Sequence, residues 1–342
     1  MEQAIMNQPA PLAAHAPQTE KRSVLPMNEA LHVGDTLYSK NGLFFAGVQP
    51  DGNFCVYRAD IDKGGVWLWG SQVLGDGGEF YAILQSDGNF CVYYGAAPVE
   101  HPRWLWGTQK LDSGGQFFLV LQDDGNLCIY KGKGLADRGA LVWSSGNTDS
   151  VKEITEIIGL VYDLDRRQLK TDGKSNLYNE TVSNKTPQPQ IVTLSGSASA
   201  TETSAWSDPL GAKIGVSTSF NPGVPYITAN GKVVISLDAG NFVWNGSTTV
   251  TKTWSFSTPV SVPANSAVSA EVSATRSTLV VPYTQTVAIE YQSGTKVRTR
   301  IEGTYKGSQC HDFTVSFTPV SSTGHASTPS TRPLEITAES FA

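Results

Sequence analysis

Charge is scarce in this chain. Asp, Glu, Lys and Arg make up 16% of its 342 residues, and the net charge is −6. No basic cluster forms, which speaks against nucleic acid as a partner. No apolar run reaches the roughly 18 residues that a membrane-crossing helix needs, and helical spacing of apolar residues is rare. The five histidines (His15, His32, His101, His311 and His325) are scattered, and none sits in His-Glu-x-x-His spacing. A phosphate-cradling glycine loop and a Gly-x-Ser-x-Gly elbow are both missing. Cys310 and His311 are adjacent, so on a strand they point to opposite faces and form no nucleophile–base pair. The chain therefore reads as a non-enzyme with no metal and no cofactor. Cysteine is limited to four residues, which fits free thiols in a reducing compartment. The segment from Met1 to Pro26 is rich in Ala, Pro and Gln and has no apolar centre. It reads as a disordered arm over residues 1–27 rather than a signal peptide. Synthesis in the cytoplasm is expected, with action outside the cell after release.

What the chain does have is Gly, Ser and Thr in abundance, β-branched alternation and one repeated pattern. These point to an all-β protein. The pattern occurs as Gln49-Pro-Asp-Gly-Asn-Phe-Cys-Val-Tyr57, Gln85-Ser-Asp-Gly-Asn-Phe-Cys-Val-Tyr93 and Gln122-Asp-Asp-Gly-Asn-Leu-Cys-Ile-Tyr130. The copies are 36 and 37 residues apart, a period that marks an array of similar units. Each copy alternates with period two, as a half-buried strand does. Gln49, Asp51, Asn53, Cys55 and Tyr57 share one face, as do Gln85, Asp87, Asn89, Cys91 and Tyr93, and Gln122, Asp124, Asn126, Cys128 and Tyr130. That face is expected to point outward. A row of amide, carboxylate, amide and phenol suits a neutral polyhydroxylated ligand, because donors and acceptors are dense and only one member is charged. Trp69, Trp106 and Trp143 recur every 37 residues and read as core packing.

The repeated Gln-x-Asp-x-Asn-x-x-x-Tyr row resembles the mannose-binding signature of bulb-type (monocot, snowdrop-like) lectins. The resemblance covers residues 28–150 and implies a β-prism II domain of three pseudo-symmetric sheets around a Trp-rich axis. It also implies mannose-type glycans as partners. The departure is uniform: Cys55, Cys91 and Cys128 stand where that family has Val, which there touches the apolar side of the sugar. Cys is of similar size and behaves as a small hydrophobe. In a threefold array these thiols face different directions, too far apart for disulfides with one another.

Past Asn147 the repeat stops. Val151–Leu164 is open between a short helix and a strand, and Asp163–Asn179 reads as a polar turn region. The Ser/Thr-rich stretch from Gln190 reads as long, weakly hydrophobic strands. Gly211–Gly240 reads as one hairpin. Its first arm places Ile214, Val216 and Phe220 on an apolar face. Its second places Val233, Ile235 and Leu237 there. Between them Val224, Pro225, Tyr226 and Ile227 are expected at an exposed apolar tip. Arms of about nine residues with strict alternation match a membrane-spanning strand pair. An ordinary soluble hairpin fits the same pattern.

Thr253-Trp-Ser-Phe256, Pro259-Val-Ser-Val-Pro-Ala-Asn-Ser-Ala-Val268, Val281-Pro-Tyr-Thr284 and Ile301-Glu-Gly-Thr-Tyr-Lys-Gly307 together resemble the aerolysin-like (epsilon-toxin/mosquitocidal-toxin) group of β-pore-forming proteins. The resemblance lies in order and texture, and the module is placed at residues 151–320, followed by a flexible tail at 321–342. It implies a homo-oligomeric ring, with one hairpin from each copy inserted into a lipid bilayer. The rival expectation is a non-lytic mannose-binding lectin or adhesin whose second half is a β stalk.

Overall fold

The computed structural model describes residues 21–73, 75, 77–96, 102–110, 114–207, 210–211, 220–237, 242–243, 246–320, 330–333 and 336–338. No α-helix occurs among them, and the chain is all-β. It forms two compact units. The first is built on residues up to Gly159 together with Gln285–Glu302. The second is built on Leu160–Asp208, Ser219–Thr284 and the chain from Gly303 onward.

The first unit begins with three short strands, β1 (Val24–Pro26), β2 (Ala30–His32) and β3 (Leu37–Tyr38). Three triplets follow, one from each repeat. They are β4 (Phe44–Val48), β5 (Phe54–Arg58) and β6 (Val66–Gly70); β7 (Phe80–Leu84), β8 (Phe90–Tyr94) and β9 (Arg103–Gly107); and β10 (Phe117–Leu121), β11 (Leu127–Lys131) and β12 (Leu141–Ser144). Each triplet is an antiparallel meander, completed to four strands by one of the opening strands. β3 joins β4, β2 joins β7 and β1 joins β10. The opening segment thus contributes an edge strand to all three sheets. Sheet structure starts at Val24, within the stretch expected to be a disordered arm. The alternation of the motif is too short a signal to reveal β1, whose partner lies in the third repeat.

Closure of the prism is cyclic. The Asp-Gly-Asn turn of each repeat packs against the first aromatic residue of the next. A Cβ at Gly52 would fall 2.6 Å from the Phe80 ring, at Gly88 3.1 Å from Phe117, and at Gly125 2.7 Å from Phe44. These glycines also hold φ of 83°, 80° and 85°, a region that side chains avoid. Trp69, Trp106 and Trp143 meet edge-on in a triangle with centroids 5.6–6.2 Å apart. That is the packing role read from the sequence, although each ring keeps some exposure.

Gln285–Glu302 packs against the first repeat. The Arg58 guanidinium, 3% exposed, pairs with Asp149 and sits 4.1 Å above the Tyr291 ring. Asp149 also accepts from the backbone and hydroxyl of Ser293 at 3.0 and 2.7 Å. Phe44 meets Tyr291 edge-on.

The second half is built from long strands: β13 (Val151–Tyr162), β14 (Gln168–Asn184), β15 (Gln190–Trp206), β16 (Val224–Ile227), β17 (Val233–Ser236), β18 (Ser247–Val262), β19 (Ser266–Tyr291), β20 (Lys296–Val320), β21 (Ser330–Pro333) and β22 (Ile336–Ala338). The open choice for Val151–Leu164 resolves as a strand. The polar turn expected at Asp163–Asn179 shrinks to the few residues before Gln168, because β14 pairs with β19 from Gln168↔Val280 to Asn184↔Ser266. Its residues are polar because most are exposed, so backbone pairing rather than apolar burial makes them a strand. The Ser/Thr-rich stretch is a strand, as read. β15 and β18 pair from Gln190↔Val262 to Ala205↔Ser247. Their outer face carries hydroxyls that bond across the strands, Ser195 to Ser257 at 3.1 Å and Ser199 to Thr253 at 2.8 Å. Leu194, Ala198, Trp254 and Phe256 point inward onto Val268, Val272, Phe313 and Val315. The tail, expected to be flexible, supplies β21 and β22, which pair with β20 and β18.

The hairpin differs from its expected form. Reversal falls at Thr228–Gly231, where Gly231 N donates to Thr228 O at 2.9 Å and Gly231 has φ 75°. Asn230-Gly231 is the stronger turn pair, so Val224–Ile227 becomes a strand rather than a tip. Val224 and Ile227 are 0% exposed and pack with Trp206, Val281, Tyr283 and Tyr305. Tyr226 is part-buried, and Ile235 and Leu237 on the return arm are exposed. Val233 is part-buried, and Phe220 meets Phe242 edge-on. Ile214 and Val216 lie outside the described residues.

Candidate functional site

Each repeat builds the same polar constellation where its second strand leaves the Asp-Gly-Asn turn. In the second repeat Gln85 Nε2 donates to the Tyr93 hydroxyl at 3.1 Å, and Cys91 Sγ donates to Gln85 Oε1 at 3.2 Å. Asp87 Oδ1 accepts the backbone N–H of Asn89 at 3.0 Å. Asn89 Oδ1 accepts from the Thr108 hydroxyl and the Gln109 N–H, both at 2.9 Å. The first repeat reproduces the set with Gln49–Tyr57, Cys55–Gln49, Asn53–Asp51, Ser71–Asn53 and Gln72–Asn53. The third does so with Gln122–Tyr130, Cys128–Gln122, Asn126–Asp124, Ser145–Asn126 and Gly146–Asn126.

These internal bonds decide what remains for a ligand. Asp Oδ1 and Asn Oδ1 are committed, which leaves Asp Oδ2 as acceptor and Asn Nδ2 as donor. The Tyr hydroxyl accepts from Gln and is also in hydrogen-bond contact with the Cys thiol. One carboxylate oxygen beside several neutral donors is a set for adjacent sugar hydroxyls, each of which both donates and accepts.

The sequence reading missed two supports. A hydroxyl two residues after each axial Trp (Ser71, Thr108 and Ser145) joins the Asn side chain to the backbone N–H of Phe54, Phe90 or Leu127. The next position carries positive φ in every copy: Gln72 57°, Gln109 53° and Gly146 77°. That conformation aims its N–H at the Asn oxygen. Recurrence at the axial Trp spacing was the available signal.

The thiols depart from expectation. Cys55 and Cys91 are 0% exposed and Cys128 is 1% exposed. Each lies beneath the polar row and donates to the Gln amide oxygen of its own repeat. Burial pushes the thiols of Cys55 and Cys128 up to about 11, and raises that of Cys91 as well. They are neutral S–H donors. Burial likewise pushes the Tyr93 phenol up to about 12 and raises Tyr57 and Tyr130.

The three copies differ in access. In the first, Gln49, Asn53 and Tyr57 are 1%, 6% and 2% exposed, which overturns the outward face expected there. In the second and third, Gln, Asp, Asn and Tyr keep partial exposure.

In the second unit the hairpin strand β16 is held by side chains. Gln309 accepts from Ile227 N at 2.8 Å and donates to Pro225 O at 3.1 Å. Tyr305 donates to Pro225 O at 3.2 Å, and Tyr162 to Gly223 O at 3.0 Å. Lys252 pairs with Glu202 at 2.8 Å and lies 4.7 Å above the Tyr226 ring. Elsewhere in this unit Ser277 Oγ lies 2.8 Å from His311 Nε2, and His311 Nδ1 lies 2.8 Å from Asp312. That order mimics a nucleophile chain, but Ser277 is 0% exposed and no substrate reaches it. Among the described residues no group of His, Cys, Asp and Glu is arranged to hold a metal.

No protein-family model matches the sequence, and no curated protein does. Among solved structures the chain is similar to a monomeric monocot mannose-binding lectin from Gastrodia elata, with 25% identity and a TM-score of 0.30 over 37% of this chain and 98% of that one. It is similar to lamprey immune protein at 15% identity and a TM-score of 0.38, over 88% of this chain and all of that one. It is also similar to the Cry23Aa1–Cry37Aa1 binary complex at 18% identity and a TM-score of 0.33, over 54% of this chain and 91% of that one. At scores this low, the chemistry of the site has to come from the chain's own residues.

Proposed function

We propose that the protein binds mannose-type glycans on a target cell surface and then permeabilises the membrane as a homo-oligomeric β-pore. The observation that carries the first half is the threefold hydrogen-bond set. The same four polar residues are locked in the same way three times, and each copy leaves one carboxylate oxygen and a fan of neutral donors. A structural outer face needs no such repetition. Single sites of this open kind bind with Kd on the order of millimolar, about −4 kcal/mol. Two accessible sites per chain raise avidity on a dense glycan surface.

The second half rests on the hairpin. Among the described residues β16 and β17 pair only with each other, and side chains anchor β16 to its unit. Such a ribbon can leave without unzipping the main sheet. In lipid its backbone groups are satisfied only by pairing with neighbouring copies into a closed barrel. Release from the producing cell would precede action at the target membrane.

A non-lytic lectin with a β stalk is the rival, and the full burial of Val224 and Ile227 favours it. Retention on mannan-agarose with elution by free mannose tests the glycan half. A chain that passes through unretained removes it. Negative-stain imaging on mannosylated vesicles tests the second half: rings are expected, and a carpet of monomers supports the rival.

A further inference from the structure

We propose that Trp104 is a specificity-determining wall of the second site, so that this site takes an oligomannose chain in preference to a single sugar. The inference rests on the glycan reading. The register places Trp104 opposite Tyr93 and Trp67 opposite Tyr57, whereas Leu141 stands opposite Tyr130. Trp104 Nε1 and Cys91 Sγ flank the same point above Gly107, 3.2 and 3.0 Å from a Cβ placed there, and that thiol donates to Gln85 Oε1. The thiol therefore neighbours both the indole edge and the ligand-facing amide. Trp104 is 49% exposed, a large apolar slab beside a polar row.

Room for the indole has a cost elsewhere in the sheet. Gly107 pairs with Cys91, and a Cβ there would come within 3.0–3.2 Å of Cys91 Sγ, Asn89 Oδ1 and Trp104 Nε1. Gly70 in the first repeat makes the same approach to Cys55, Asn53 and Trp67. In the third repeat both members change together, Trp to Leu141 and Gly to Ser144. The Trp–Gly pair is thus a unit that two sites carry and one lacks. Because the first site is covered, the second alone joins an accessible polar row to an aromatic wall. A pyranose has one face of C–H groups, and laying that face on an indole removes apolar surface of both from water. A single hexose spends its hydroxyls on Asp87, Asn89 and Tyr93, and a further sugar of the chain covers the ring.

The test is calorimetric titration of the full chain with methyl α-mannoside and with a linear mannotriose. D87A is expected to remove the tighter trisaccharide site. W104L/G107S is expected to lower trisaccharide affinity about tenfold, the scale of one aromatic contact, while methyl mannoside changes less than threefold. The reciprocal L141W/S144G is expected to add a second tight trisaccharide site. Indole fluorescence of the unaltered chain should shift with mannotriose and not in D87A, a readout that does not depend on the double variants folding. Unchanged trisaccharide binding in W104L/G107S, with the tighter site lost in D87A, overturns the wall and leaves the glycan reading standing. No heat from the unaltered chain with either sugar overturns both.

Discussion

Cys128 Sγ donates to Gln122 Oε1 across 3.1 Å, and the other end of the same amide donates to Tyr130. The thiol thus fixes which way the glutamine points. Burial holds that thiol neutral, pushed up to about 11, so alkylation of the native protein is expected to stay slow from pH 7 to 9. Quantifying labelled cysteine by mass spectrometry, native against urea-unfolded, checks this. Rapid labelling of Cys128 in the native state contradicts it.

The same burial sets a pH dependence of stability. Cys55 and Cys128 ionise near 9.0 when unfolded and near 11 when folded. Folding therefore favours the protonated form. The contribution is complete below pH 9 and is lost as pH climbs towards 11. Thermal melts are expected to fall across that window, and C55A/C128A is expected to flatten the fall.

Gly52→Ala places a methyl group 2.6 Å from the Phe80 ring at φ 83°. Both the clash and the backbone oppose it, so a loss of about 2–4 kcal/mol is expected in urea unfolding. Gly77→Ala, which meets nothing within 4 Å although its φ is 91°, is expected to lose only the backbone share, about 1 kcal/mol.

Asp149→Ala strips the partner from a buried guanidinium. Arg58, 3% exposed and stacked on Tyr291, would lose its paired carboxylate, and a cost of about 3–5 kcal/mol is expected. Arg58→Met together with Asp149→Ala should recover much of it, which a double-mutant cycle reads directly.

Gln309→Leu removes the acceptor for Ile227 N and one donor to Pro225 O, leaving a buried N–H unpaired. A local loss of about 1–3 kcal/mol is expected. Hydrogen exchange should quicken at Ile227 before it quickens in β19. Uniform loss of protection would mean that β16 is not a separable element.

Much of the first unit was legible because its information is local and written three times. Period-two alternation, Asp-Gly-Asn turns and the Trp spacing fixed strands, turns and axis. Covering of the first copy was not legible, since Gln49 and Tyr57 match their equivalents and their burial arises from tertiary surroundings. In the second unit, the Ser/Thr-rich, β-branched stretch from Gln190 was legible as the strand β15. Alternation failed for β14, whose exposed residues carry no apolar face, and for β21 and β22, which are short edge strands made by their partners. The hairpin was placed in the right segment with too long a turn: all of Asn221–Gly231 is rich in turn residues, but only Thr228–Gly231 reverses the chain, and Val224–Ile227 pairs as a strand.

The coupling of sugar binding to membrane damage is tested most directly by dye release from liposomes carrying a mannosylated lipid. The account predicts release at doses that leave plain liposomes intact, suppressed by free mannose and by D87A/D124A. Protein that coats the mannosylated liposomes at every dose and releases nothing would contradict it.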